Sequence, residues 1–242
     1  MATKSSQQRV ALITGGTGGI GRAIAAAFSD GDYEIVVTGF AADECERIHS
    51  DRPDWRVRQL DVQDSAEVTT VVDDLPQLDV LVNAAGMILR DGKEHDLANF
   101  ERVVAVNLTG AMRVSTACHR LLSRSGGCVL NLASMLSFFG SGYAPAYSAS
   151  KGGIVQLTKS LAIAWANDGI RVNAIAPGWI KTAMTDPLVN DPHRSQTIVD
   201  RTPLGRWGDP VDVAGPALFL CSPSAGFITG AVLPVDGGYS IA

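Results

Sequence analysis

The sequence lacks the features that mark several large classes of protein. It has four cysteines and four histidines in 242 residues. No two cysteines form a CxxC pair and the histidines are scattered, so we expect no metal site. No apolar run reaches the roughly 18–20 residues that span a membrane. The net charge of −5 also argues against nucleic acid or an anionic membrane surface as the main partner.

The first eight residues, MATKSSQQ, contain none of the apolar character of a secretory signal. We expect them to form a frayed end. The cysteines Cys45, Cys118, Cys128 and Cys221 are expected to be reduced and mostly buried, as is usual in the cytosol. These features together predict a cytoplasmic protein.

Strand-like apolar segments alternate with longer helical patterns along the chain. We predict helices near 14–28, 43–50, 65–74 and 97–123, and in the segment that begins near Tyr147. The strands are predicted near residues 9–14, 34–39, 56–62, 78–86, 127–134, 170–178 and 231–238. This alternation predicts one α/β domain over 1–242, a doubly wound parallel sheet of about seven strands with helices on both faces. Ligands of such sheets bind beyond the carboxyl ends of the strands.

A glycine-rich loop, TGGTGGIG at 14–21, follows the first predicted strand and precedes a helical pattern. Glycine lets a phosphate approach the backbone, and the N-terminus of the next helix offers unpaired N–H groups. The loop therefore predicts a dinucleotide site. Two spacings fit: Gly16, Gly18 and Gly21 match GxGxxG, whereas Gly15, Gly19 and Gly21 match a longer variant.

Tyr147 and Lys151 stand four residues apart in the stretch YSASK, and so lie on one face of a helix. A nearby ammonium favours the phenolate, so we expect Lys151 to lower the pKa of Tyr147 from its ordinary value of ~10. Such a tyrosine can transfer protons at neutral pH. Ser134 ends the preceding predicted strand, and Asn107 lies on the long helix before that strand.

These motifs resemble those of the short-chain dehydrogenase/reductase superfamily, over nearly the whole chain. The resemblance also rests on LDV at 60–62, NAAG at 83–86, PG at 177–178 and VDGG at 235–238. It implies a single-domain Rossmann fold and an NAD(P)-dependent enzyme that interconverts a secondary alcohol and a ketone. The chain most resembles sugar-acid dehydrogenases of the 2-deoxy-gluconate and gluconate type, so a sugar acid or polyol is the expected substrate. It also resembles 3-oxoacyl-carrier-protein reductases, which remain an alternative.

The resemblance implies a role for each matching residue. Tyr147 is the expected general acid/base, and Lys151 would lower its pKa and hold the nicotinamide ribose. Ser134 would bind the substrate oxygen, and Asn107 would position a water that relays protons to Lys151. A non-catalytic dinucleotide-binding module would be favoured if one of these four were missing, and none is. The expected cofactor contacts are Gly15, Thr17, Gly18, Gly19, Ile20, Gly21, Gly39, Phe40, Asp61, Val62, Asn83, Ala84, Gly86, Tyr147, Lys151, Pro177, Gly178, Ile180 and Thr182.

The end of the second predicted strand carries conflicting signals about the cofactor. A 2′-phosphate needs a cationic partner, but Phe40 stands where that arginine would come and Gly18 fills a loop position that some NADP enzymes give to arginine. Asp43 and Glu44 follow and would repel a phosphate. Against this, Gly39 replaces the aspartate that holds the ribose 2′-OH in NAD enzymes. We predict NAD(H), slightly favoured over NADP(H).

Two segments surround the expected substrate position. The region 183–208 interrupts the alternation of strands and helices, and is predicted to be a substrate lid, with a passive surface loop as the alternative. Phe138, Phe139 and Tyr143 either line the pocket or simply pack. The expected partner is a small alcohol or ketone. The resemblance further implies a homotetramer, packed through 97–123, 147–168 and 209–238.

Overall fold

The computed structural model describes residues 8–242, so most of the predicted frayed end lies outside the described residues. Within them, seven parallel strands form one sheet in the order β3-β2-β1-β4-β5-β6-β7. The predicted doubly wound fold is therefore confirmed. The strands are β1 Arg9–Thr14, β2 Tyr33–Gly39, β3 Arg56–Gln59, β4 Val80–Asn83, β5 Cys128–Leu132, β6 Arg171–Pro177 and β7 Val232–Val235.

Helices follow the strands on both faces of the sheet. Across the described residues, they are α1 Gly19–Asp30, α2 Ala42–Asp51, α3 Ser65–Asp73, α4 Leu97–Val104, α5 Ala111–Ser125, α6 Pro145–Ala164, α7 Asp186–Val189, α8 Pro192–Arg201 and α9 Pro210–Cys221. No helix within residues 8–242 is long and apolar enough to cross a bilayer.

The predicted long helix at 97–123 differs from the observed one in its middle. A π-helical stretch, Ala105–Gly110, joins α4 to α5. Here the chain passes close to the loop after β3, because a Cβ added to Gly110 would lie 2.6 Å from Val62 Cγ2. A π turn closes its backbone hydrogen bonds over one more residue than an α turn does, and this hardly alters the spacing of apolar residues. The sequence pattern therefore did not predict it.

The core has one layer on each face of the sheet, because alternate strand residues point to opposite sides. Ile13 and Val37 pack with Phe28 of α1 and with α9, whereas Leu12 and Val36 pack with α3 and α5. The loop after β1 and the loop after β4 diverge at the point where the strand order reverses. A crevice opens there at the carboxyl edge of the sheet.

Candidate active site

A cleft of about 1530 Å³ opens along the carboxyl edge of the sheet. Eighteen of the nineteen predicted cofactor residues line it, and Ser134 lines it as well. The eighteen are Gly15, Thr17, Gly18, Gly19, Ile20, Gly21, Gly39, Phe40, Asp61, Val62, Ala84, Gly86, Tyr147, Lys151, Pro177, Gly178, Ile180 and Thr182. The fold thus brings segments that are far apart in sequence onto one surface.

The conformation of the glycine loop favours the longer of the two possible glycine patterns. Gly15 and Gly19 have positive φ values of 65° and 52°. Residues with a Cβ atom rarely adopt such values, whereas glycine adopts them readily. A Cβ on Gly21 would collide with the carbonyl oxygen of Gly15. Gly18, by contrast, faces open space, with nothing within 4 Å of an added Cβ. All three glycines of the longer pattern are therefore required. In the shorter pattern Gly16 is also required, because its added Cβ would lie 2.7 Å from Val37 Cγ1, but Gly18 is not.

The start of α1 fits the phosphates of a nicotinamide dinucleotide. Gly18 is the N-cap residue and offers no side chain to the first-turn N–H groups, and that turn has no acidic residue. These N–H groups and the positive end of the helix dipole face the cleft, where an anion would satisfy both. The glycine loop leaves the backbone bare beside them, and the cleft extends from here to Tyr147. The residues present therefore fit the cofactor.

Ser134, Tyr147 and Lys151 meet at the middle of the cleft, where β5 ends and α6 begins. The Lys151 ammonium lies 5.6 Å from the centroid of the Tyr147 ring and donates to the Leu132 carbonyl over 2.6 Å. Ser137 fastens the turn after Ser134 to α6, because it accepts from the Ser134 N–H and donates to the Lys151 carbonyl over 2.7 Å. One end of a strand and one turn of a helix are thus held as a rigid unit.

The electrostatics of this unit differ from the expectation. Burial raises the pKa of Tyr147, and the neighbouring Ser134 hydroxyl lowers it only in part. Burial also lowers the pKa of Lys151 to about 8. The expected lowering of the Tyr147 pKa by Lys151 is not seen, because desolvation dominates both groups and the ammonium is directed to a backbone carbonyl.

Asn107 does not line the cleft but lies directly behind it, in the π-helical stretch. Its amide accepts from the Met87 N–H over 2.8 Å and donates to the Met87 carbonyl and to Ser150, over 2.9 and 3.1 Å. Ser150 in turn donates to the Tyr147 carbonyl over 2.7 Å. Asn107 therefore joins the loop after β4 to the helix that carries Tyr147, and the small side chain of Ser150 permits that contact.

Asn83 is the predicted cofactor residue that does not line the cleft. Its amide donates to Ser115 and to Asn131, both over 2.9 Å, and Asn131 donates to Thr158 over 2.9 Å. Asn83 is the last residue of β4, and its side chain points into the packed layer between strands and helices. The backbone that follows it, at Ala84, forms the wall instead.

The outer end of the cleft contains charged residues that the sequence patterns did not single out. Arg90, Arg194 and Arg201 line it, together with Tyr239 from the C-terminal segment. The Arg201 guanidinium stacks over the Tyr239 ring at 4.4 Å. No spacing rule marks these residues, because they come from three separate segments, the loop after β4, α8 and the C-terminal segment, that meet only in the folded chain.

The aromatic residues and the region 183–208 surround this outer end. Phe139 and Tyr143 line the cleft, whereas Phe138 does not and is half exposed. The region 183–208 contains α7 and α8, whose Leu188 and Ile198 pack on Trp207. It is therefore a packed pair of short helices over the cleft and not an irregular loop.

A doubly wound sheet with a glycine loop at its reversal point and a buried serine–tyrosine–lysine set defines a dinucleotide-dependent oxidoreductase. Comparison with known proteins agrees with this class. Residues 15–240 match the family described as enoyl-(acyl carrier protein) reductase. The chain belongs to the short-chain dehydrogenase/reductase family.

Several relatives are named as enzymes of sugar acids or polyols. A 2-dehydro-3-deoxy-D-gluconate 5-dehydrogenase of Pseudoalteromonas atlantica is 39% identical, over 97% of both chains. A galactitol 2-dehydrogenase (L-tagatose-forming) of Cereibacter sphaeroides is 37% identical, over 96% of this chain and 94% of its own. A solved gluconate 5-dehydrogenase of Burkholderia cenocepacia, in complex with NADP and tartrate, superposes with a TM-score of 0.89. It is 32% identical and covers 97% of this chain and 96% of its own. The predicted resemblance to sugar-acid dehydrogenases is confirmed.

Proposed function

We propose that the protein oxidises a secondary alcohol of a sugar acid, or reduces the corresponding ketone, with a nicotinamide dinucleotide. The observation that carries the choice of substrate is the arginine set at the outer end of the cleft. Among residues 8–242, Arg90, Arg194 and Arg201 form no ion pair within 4.0 Å. Unpaired guanidinium groups in a cleft suit a substrate carboxylate.

The names of the sugar-acid relatives support the same substrate class, whereas the galactitol 2-dehydrogenase favours a polyol. The first relative acts on a deoxy-gluconate derivative, and the solved relative contains tartrate, a dicarboxylate. The four-residue separation of Tyr147 and Lys151 and the position of Ser134 support the family's chemistry in this chain. The predicted polyol substrates would lack the carboxylate, so they serve as the comparison in the test below.

The proposed roles follow from the positions of the side chains. A bound nicotinamide ring supplies the acceptor or donor of the hydride at the substrate carbon. The Tyr147 phenol takes the proton from the carbinol oxygen during oxidation and returns it during reduction. Ser134 donates a hydrogen bond to the same oxygen, and Lys151 holds the nicotinamide ribose. Gly15, Thr182 and the other lining residues hold the cofactor.

A panel assay tests the substrate class. Turnover is followed by the absorbance of the reduced nicotinamide for sugar acids and for polyols of matching stereochemistry. A hydrogen bond to a charged group is worth about 1.5–3 kcal/mol, so Arg201→Gln should raise KM for the acids about 10- to 100-fold and leave KM for polyols unchanged. Arg124→Gln, on the exposed end of α5, is the control. Equal KM values for acids and polyols in the wild-type protein would contradict the proposal.

The proton transfer is tested separately by Tyr147→Phe, which keeps the ring and removes the exchangeable proton. We expect turnover to fall by at least the ~10²–10⁴ that general acid–base catalysis supplies. Cofactor binding, followed by quenching of protein fluorescence, should change little. Turnover near that of the wild type would remove Tyr147 from the mechanism.

We further propose that NAD(H) is preferred to NADP(H), on the basis of Glu44. This residue lines the cleft at the end of β2, where the adenosine ribose of a dinucleotide lies. The Thr17 hydroxyl donates to the Glu44 carboxylate over 3.3 Å. The Thr17 side chain also lies close to Gly39, because a Cβ added to Gly39 would collide with it. A carboxylate from α2 thus takes the place of the missing aspartate and would repel a 2′-phosphate.

The nearby cations support this preference because both are engaged elsewhere. Arg22 pairs with Asp51 at 3.1 Å and Arg47 with Asp43 at 3.7 Å, and neither arginine lines the cleft. The opposing observation is the NADP bound in that solved relative and in three other solved neighbours. The test is kcat/KM for both cofactors with one substrate.

Glu44→Gln should increase kcat/KM for NADP at least fivefold, because the repulsive charge is removed while the side chain keeps its size. The matched control is Glu46→Gln, which removes an exposed charge on the same helix that lies outside the cleft and holds neither nearby arginine. A tenfold preference of the wild-type protein for NADP would refute the argument.

We retain the homotetramer as a proposal. Large apolar side chains are exposed on the helices and the edge strand that the family uses for assembly. They include Ile163 on α6, Val211 and Phe219 on α9, Phe227 and Leu233. Light scattering should give a mass near four times 25.4 kDa, and a monomer at every concentration would contradict it.

We also retain 183–208 as a substrate lid and the cytoplasm as the location. The lid is supported by its position, since Met184, Leu188 and Arg194 line the cleft. Protease cleavage within 183–208 should slow when cofactor and substrate are both bound.

Four buried free thiols support a reducing compartment, as expected for the cytoplasm.

A further inference from the structure

Glu94 is a buried carboxylate beside the active site. It lies in a short helical turn, Lys93–His95, and is only 1% exposed. One carboxylate oxygen accepts from the Leu89 N–H and the other from the Tyr147 N–H, each over 2.9 Å. Among residues 8–242, no cation lies within 4.0 Å of it. A buried charge without a counter-ion is costly, so it calls for an explanation.

The two donors explain why the residue is a glutamate. The Tyr147 N–H belongs to the first turn of α6, whose N-cap residue, Ala144, has no side-chain acceptor. Leu89, in the loop after β4, also lines the cleft. A carboxylate presents an acceptor to both N–H groups and also favours the helix N-terminus. An amide would turn an NH₂ group towards one of them.

We propose that Glu94 is a positioning residue for the proton transfer, which ties the backbone of Tyr147 to the cleft wall at Leu89. This inference rests on the proposed role of Tyr147 as the acid–base group. Because the bridge acts on the backbone, it sets where the phenol stands relative to the substrate oxygen. Errors of about 1 Å in such placement can cost about 10²-fold in rate. His95, the next residue, contacts the Gly142 carbonyl over 3.1 Å and holds the loop before α6 on the same side.

The charge of Glu94 gives a second, independent readout. Burial raises the pKa of Tyr147 most, Ser134 lowers it, Glu94 raises it further and Arg90 lowers it. The remaining charged group that faces the phenol is Lys151, at 5.6 Å from the ring centroid. Removal of the Glu94 charge should therefore lower the pKa of Tyr147. Alcohol oxidation needs the phenolate, so the rising limb of kcat plotted against pH should move to lower pH.

The experiment compares Glu94→Gln and Glu94→Asp with the wild-type protein. The control is Glu101→Gln, because Glu101 is exposed on α4. For each we would measure kcat and KM from pH 6 to 10, the cofactor Kd by fluorescence quenching, and Tm. Glu94→Gln should lower kcat at its optimum at least tenfold, move the rising limb to lower pH and change the cofactor Kd less than threefold. Glu94→Asp keeps the charge but is shorter, so it should lower kcat and leave the limb in place.

The outcomes separate this inference from the proposed function. If Glu94 is merely structural, its substitution would lower Tm but leave kcat and the rising limb of its pH profile unchanged. That result would overturn the proposal. A kcat of Glu94→Asp within threefold of wild type would also overturn it, even if Glu94→Gln does not fold. Tyr147→Phe is measured in parallel: if that variant stays active, the proposed function fails first, whatever the Glu94 variants do.

Discussion

Lys151 is expected to limit the stability of the protein while supporting its activity. Its side chain is 5% exposed, and burial lowers its pKa from 10.5 to about 8. One pKa unit corresponds to ~1.36 kcal/mol, so the charged form loses about 3 kcal/mol on folding at pH 7. Lys151→Met keeps most of the apolar side chain and removes this loss.

One interaction offsets the gain. The Lys151 ammonium donates to the Leu132 carbonyl over 2.6 Å, and a buried carbonyl that loses its donor costs about 1–3 kcal/mol. The net change in the free energy of unfolding at pH 7 should therefore lie between about zero and +2 kcal/mol. For a domain of this size, each kcal/mol corresponds to about 2–4 °C in Tm. Turnover should be lost, because the ammonium proposed to hold the nicotinamide ribose is removed.

The pH dependence gives the sharper test. In the wild-type protein the folded state loses the Lys151 proton near pH 8, whereas the unfolded state keeps it to about pH 10.5. The free-energy cost of burying charged Lys151 is therefore fully present below pH 8, and it shrinks as the pH rises towards 10.5. The Tm of Lys151→Met minus that of the wild type should therefore be constant from pH 6 to 8 and fall above pH 8.

The assay is thermal unfolding followed by circular dichroism in buffers from pH 6 to 10. Lys159→Met is the matched control, because Lys159 is exposed on the same helix and its replacement should change stability by less than ~0.5 kcal/mol at every pH. A Tm difference for Lys151→Met that does not vary between pH 7 and 10 would refute the reasoning. So would a large loss of stability across the whole range.

Three further results are expected. Gly21→Ala should destabilise the fold by about 1–3 kcal/mol, because its Cβ meets the Gly15 carbonyl oxygen, whereas Gly18→Ala should be close to neutral in urea unfolding. Asp212→Asn should lower Tm at pH 7, since Arg206 holds the pKa of Asp212 down to about 2. That stabilisation is present above pH ~4 and lost as the pH falls towards 2, so the Tm difference should shrink over that window. Asn83→Ala should destabilise by about 1–3 kcal/mol but leave the cofactor Kd within threefold, because Asn83 does not line the cleft; a large loss of cofactor binding would contradict its placement.

The sequence by itself determined the order and type of most elements, because the spacing of apolar residues in each segment matches the side of the strand or helix that is buried. Arg9–Thr14 is a strand over the predicted range, and α3 ends within one residue of its predicted end. The local motifs were equally informative. A loop of glycines before a helix and a tyrosine one turn from a lysine depend only on neighbours in the chain, so these residues could be named from the sequence, whereas the other cleft residues were implied by the family resemblance.

The tertiary structure decided whatever depends on contacts between distant segments. The choice between the two glycine spacings required the positive φ values of Gly15 and Gly19 and the open space beside Gly18. The direction of the Tyr147 pKa required the extent of its burial, which no spacing shows. Glu94 lies in the stretch RDGKEHD, whose composition is that of a solvated loop. It becomes part of the site because the fold lays this turn against the N-terminus of α6, 53 residues later in the chain.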